Sequence, residues 1–80
     1  MISSAQIRAA RALLGLSQSA VAEAAGISVP TLKRAEGASA ISASDKAILL
    51  IHAALEAAGV EFIPENGGGV GVRLKKPDNG

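Results

Sequence analysis

Apolar residues in the first third of the chain recur at helical spacing. Ile7, Ala10 and Leu14 lie on one stripe, with Arg11 among them. Ser3, with Gln6 three residues on, predicts a capping box at the start of this helix, and Gly15 its stop. A second, shorter helix is predicted over Gln18–Ala25, capped by Ser17, with Val21, Ala22 and Ala25 inside. Gly26 follows as a left-handed turn residue, and Ile27 is the apolar plug of the turn. Ser28 caps a third helix, Pro30 falls in its first turn, Leu32 and Ala35 face inward, and Gly37 ends it. Residues 38–44 are small and polar except for Ile41 and read as a loop. Ser44 or Ser42 caps a longer fourth helix through Ala58, closed by Gly59, with an inner stripe of Ile48, Ile51, Leu55 and Ala58.

Beyond Gly59 the period changes from helical to alternating. Val60 and Phe62 alternate with Glu61 and Ile63, while Val70, Val72 and Leu74 alternate with Gly71, Arg73 and Lys75. Asn66-Gly67 lies between the two runs, so a β-hairpin is predicted. The expectation is a mainly α fold of about four helices with a C-terminal β-hairpin. Residues 1–59 form its helical domain, 60–76 the hairpin, and 77–80 a disordered tail. There is no internal repeat.

Composition narrows what such a fold can do. Eighty residues make one domain, and a chain this short buries only about 60% of its unfolded surface. There is no cysteine and one histidine, His52, which excludes disulfides and the usual zinc sites. Association with a second chain is the remaining source of stability. Apolar residues make up 49%, much of it helix-favouring alanine, and Phe62 is the one aromatic. A single aromatic argues against single-stranded nucleic acid, whose recognition needs stacking platforms. The net charge of +1 neither supports nor forbids DNA binding. The apolar stretch from Ala47 to Leu55 is too short to span a bilayer, and no signal peptide is recognisable, so the expected location is the cytoplasm. ENGGGVG lacks the lysine and serine of a phosphate loop and reads as a turn. His52 reads as a helix-surface residue. No spacing of Ser, His and Asp suggests a nucleophile with its base, so no enzymatic activity and no cofactor are expected.

The run LGLSQSAVAEAAGISVPTLKRAEG, Leu14 to Gly37, resembles the Cro/phage-repressor type of helix-turn-helix, the XRE family. The likeness extends back to Ile2. It rests on Gln18, Ala22, Gly26, Ile27, Leu32 and Glu36 as a set. The resemblance implies a lambda-repressor-like bundle whose third helix enters the major groove of DNA. On this sequence Val29, Pro30, Thr31 and Arg34 then lie on the DNA-facing side, with Ser28 also expected at the DNA, and Arg34 makes either the bidentate contact to guanine or a phosphate contact. Lys33 suits a phosphate, and Ser17 and Gln18 a phosphate at a helix N-terminus. The resemblance also implies an ion pair between Arg11 and Glu36. Arg11 lies on the inner stripe, where an unpaired charge is costly. The loop 38–44 has no lysine or arginine, so the salt-dependent part of affinity is expected to be small.

The resemblance thus implies a small bacterial, nucleoid-associated regulator that binds double-stranded DNA, a repressor acting as a homodimer. The alternative is a protein-interaction module of the same fold, such as an antiactivator or antitoxin, with a protein partner. The expected dimer surface lies after Ser44. Leu49 or Leu50 faces away from the core, and Val70, Val72 and Leu74 lie on a hairpin with open edges.

Overall fold

The structure is a computed structural model and describes residues 1–76. The tail expected at residues 77–80 lies outside the described residues. Four helices, α1 (Ser4–Leu14), α2 (Gln18–Ala25), α3 (Val29–Ala35) and α4 (Asp45–Ala58), precede two strands, β1 (Val60–Ile63) and β2 (Gly71–Leu74).

The helices begin where short hydroxyl side chains satisfy otherwise unpaired N–H groups. Ser3 accepts from Gln6 N while the Gln6 side chain accepts from Ser3 N, a complete capping box. Ser17, Ser28 and Ser44 cap α2, α3 and α4 by accepting from the backbone N–H three residues on, which decides between Ser44 and Ser42 in favour of Ser44. At the α2–α3 turn Gly26 has φ 71°, a conformation that strains any residue with a Cβ. The turn then closes through Ile27 N–H to Ala22 O at 3.0 Å.

One core joins all six elements. Ile7, Ala10, Val21, Ala22, Leu32, Ala35, Ile51, Leu55 and Val60 are buried in it. Ile48 is half-buried at its margin. Ala58, expected on the inner stripe of α4, is exposed. The chain reverses at Gly59 and brings Val60 into the core, fully buried, next after Leu55, so Ala58 is not needed there.

The hairpin is antiparallel, with Val60 opposite Leu74, Glu61 opposite Arg73, Phe62 opposite Val72 and Ile63 opposite Gly71. Phe62 and Val72 pack on the helical core. The strand expected over residues 70–75 is shorter at both ends. Val70 belongs to the loop because Gly69, at φ 83°, turns the chain immediately before it. The connection is not a tight two-residue turn. The Glu65 carboxylate accepts from the backbone N–H groups of Gly67 (3.2 Å) and Gly69 (2.9 Å), holding a wider loop. Gln6 ties this end of the hairpin to α1. Its buried amide donates to Gly71 O (2.9 Å) and Ile63 O (3.3 Å). His52 is half-buried on α4, edge-on to Phe62 at 4.8 Å between ring centres. No described helix is long and apolar enough to cross a membrane.

Candidate nucleic-acid interface

Helix α3 is short, so what matters is which face it buries and what fixes its angle. Val29 and Leu32, three residues apart, lie on the inner face, and Glu36 continues that stripe one turn on. Val29, expected on the DNA-facing side, is half-buried and packs against the core. It stands at the first helical position after the Ser28 cap, and this sets it on the Leu32 face. Thr31 is half-buried, and its hydroxyl lies 2.8 Å from that of Ser28. Ser28 also accepts from Thr31 N–H, so both hydroxyls have partners inside the cap. Pro30, Lys33 and Arg34 are exposed and share one face, since three and four residues separate neighbours on a helix surface. Among the described residues neither Lys33 nor Arg34 belongs to an ion pair.

The C-terminal end of α3 is held by a buried carboxylate. Glu36 has a side chain only 4% exposed. Its two oxygens accept from Arg11 Nε (2.8 Å) and Nη2 (3.3 Å), a two-point contact that fixes orientation as well as distance. Gln18 Nε2 donates to the same carboxylate at 2.9 Å. Arg11 also donates to Leu16 O at 3.3 Å, and Arg8 donates to the backbone carbonyl of Glu36. One carboxylate therefore joins α1, α2 and α3. The expected place of Gln18 is at a phosphate. In the structure its amide is turned inward to Glu36. Ser17 stays exposed, and its hydroxyl accepts from Ala20 N–H.

The loop 38–44 leaves Ile41 64% exposed and has no basic side chain. Leu49 and Leu50 on α4 are 56% and 38% exposed, and Val70 and Leu74 are each 53% exposed. Val72 is half-buried against the core. Among the described residues no cluster of His, Asp or Glu could hold a metal ion.

Two short helices joined by a glycine turn, the second with a basic outer face and a pinned inner one, define a helix-turn-helix unit. The helix-turn-helix family profile matches residues 7–56, well over half of the chain. The chain belongs to this family, in its XRE-type branch, a family of DNA-binding regulators rather than of enzymes. No curated protein matches the chain.

Proposed function

We propose that this protein is a sequence-specific repressor that binds double-stranded DNA as a homodimer, with α3 in the major groove. The observation that carries this reading is the face of α3 bearing Pro30, Lys33 and Arg34. It is open to solvent and basic, while Glu36 anchors the opposite face. Arg34 reads a guanine edge, Lys33 meets a phosphate, and Pro30 offers apolar contact to a thymine methyl group. The exposed Ser17 and the N–H groups beginning α2 approach the backbone. Gln18 and Arg11 act through Glu36 and set the angle of the reading helix. Residues 1–59 read the DNA and the hairpin 60–76 assembles the dimer, which represses by occupying an operator that polymerase needs. A cytoplasmic, nucleoid-associated location follows from that role.

Mapping the genomic sites bound by the protein, followed by titration of the best site against scrambled duplex, tests the reading. Binding that does not distinguish the two rejects sequence-specific regulation. A second reading has its own observation. Ile41 stands exposed in a loop without cations, which suits a protein partner in the manner of an antitoxin or antiactivator. Affinity for a co-purifying protein that Ile41→Ser abolishes, with no affinity for duplex DNA, favours that reading instead.

A further inference from the structure

The outer edge of β2 is open, and its geometry is complementary to itself. Lys75 N–H donates to Gly59 O at 2.9 Å. Antiparallel pairs alternate between bonded and non-bonded, so Arg73 and Gly71 turn their backbone groups toward β1. Val72 and Leu74 therefore turn theirs to the free edge, which invites another strand. Beside that edge, Ala5, Gln6 and Ala9 of α1 and Val70, Gly71 and Val72 line an open crevice of about 180 Å³. Leu74 projects at one end of the strand and Val70 at the other, each 53% exposed. Leu13, 45% exposed, lies on the α1 stripe of Ala5 and Ala9.

We infer that a second copy of this chain pairs its β2 antiparallel to this edge about a two-fold axis at Val72, with the Leu74 side chain of each protomer seated in the Ala5–Ala9–Val70 crevice of the other. The inference rests on the dimeric DNA-binding reading and names the surface that reading needs.

The register follows from apolar matching and charge. An axis at Val72 sets Val72 against itself, Leu74 against Val70 of the partner subunit, and Arg73 against Gly71 of the partner subunit. Each exposed apolar residue then meets an apolar residue, and no cation faces a cation. An axis at Arg73 would set two arginines directly opposite, which is unfavourable. The two-fold requires paired residues to share a face, so an axis between residues is not available. The hairpin packs on α1 and α4, whereas α3 packs on α2 and α4, so this pairing leaves both reading helices free. Leu49 and Leu50 offer a competing apolar patch, but they lie within α4, where the helix already pairs the backbone groups.

The chain has no cysteine, so single-cysteine variants report the register directly. Residues opposed in a bonded antiparallel pair have Cα atoms about 5.5 Å apart, inside the range of about 4.4–6.8 Å that a disulfide spans. Under mild oxidation Val72→Cys should form a disulfide-linked dimer, and Arg73→Cys should not. In sedimentation at micromolar concentration, the full chain should run as a dimer. V70K/L74K should run at the mass of one chain with its helical circular dichroism retained. L49K/L50K should remain dimeric. A monomeric wild type, a V70K/L74K variant that stays dimeric, or cross-linking through Arg73→Cys in place of Val72→Cys overturns the inference. A dimer with these properties that binds no duplex DNA supports the interface and rejects the DNA-binding reading, so the two fail separately.

Discussion

Arg34 and Arg11 carry the same charge in opposite settings. Arg34 is exposed and has no ion-pair partner among the described residues. In the proposed reading its truncation should act on DNA recognition and leave the fold alone. Arg34→Ala should cost about 1–3 kcal/mol at the best operator and relax the preference at one base pair. A panel of operators substituted one position at a time checks this, and an equal loss on every sequence would assign Arg34 to a phosphate. Arg11 faces a carboxylate that is almost fully buried. Removing a partner of such a pair costs roughly 3–5 kcal/mol when both are buried, and Arg11→Ala should fall toward the lower end because Arg11 is 28% exposed. Thermal unfolding measures it, and an unchanged Tm would mean that Gln18 and water satisfy Glu36 alone. On the hairpin, Glu61 and Arg73 form an exposed pair at 2.9 Å. The hydrogen bond and charge of Arg73 hold the Glu61 carboxyl below its usual value, and those of Glu61 raise the Arg73 guanidinium. A depressed carboxyl contributes above its unfolded pKa, and that contribution is lost as pH falls through the folded value. An NMR titration should therefore find the Glu61 midpoint lower in the wild type than in Arg73→Gln. Equal midpoints would show that the pair does not persist in solution.

At the scale of elements, the four helices and their caps were readable from the chain because their determinants are local. A serine cap acts over three residues and a glycine stop over one turn. The hairpin was readable as alternation, but its details were not. Val70 left the strand and Ala58 left the core because both lie where the chain turns, and the turn geometry is decided by Glu65 and Gly59. Gln6 was legible only as half of a capping box. Its second role, joining α1 to Ile63 and Gly71, spans separations of 57 and 65 residues, and no spacing rule reaches that far. Gln6→Ala should leave these carbonyls without their buried donor, at a cost of about 1–3 kcal/mol. Hydrogen exchange should then quicken in the hairpin before it does in α2 and α3. Uniform quickening would mean that Gln6 supports the whole bundle through its cap.

The whole molecule has few cations with which to hold DNA, which bounds its salt response. Each phosphate neutralised on duplex DNA contributes about −0.9 to the slope of log affinity against log salt concentration. If Lys33 and Arg34 of two protomers supply the contacts, the slope should be no steeper than about −4. Operator titrations across a salt series measure it. A much steeper slope would place further cations, such as Arg8 or Lys46, on the backbone. A weak electrostatic grip would make two-site binding more important, so in the proposed reading the assembly of two chains serves function as well as stability.

The sequence alone determined the four helices with their boundaries, save the start of α4, the alternation of the last third, the glycine turn between α2 and α3, and the basic residues of α3. It also carried the set from Gln18 to Glu36 that marks the family. These depend on residues within a turn or two of one another, where backbone preference and side-chain period act directly. Only the tertiary structure decided that Gln18 joins Arg11 on the Glu36 carboxylate, that Val29 turns inward, that Gln6 fastens the hairpin, and that an open strand edge lies beside a crevice on α1. Each of these depends on which distant groups meet once the core has closed, and burial, not local propensity, selects the partners.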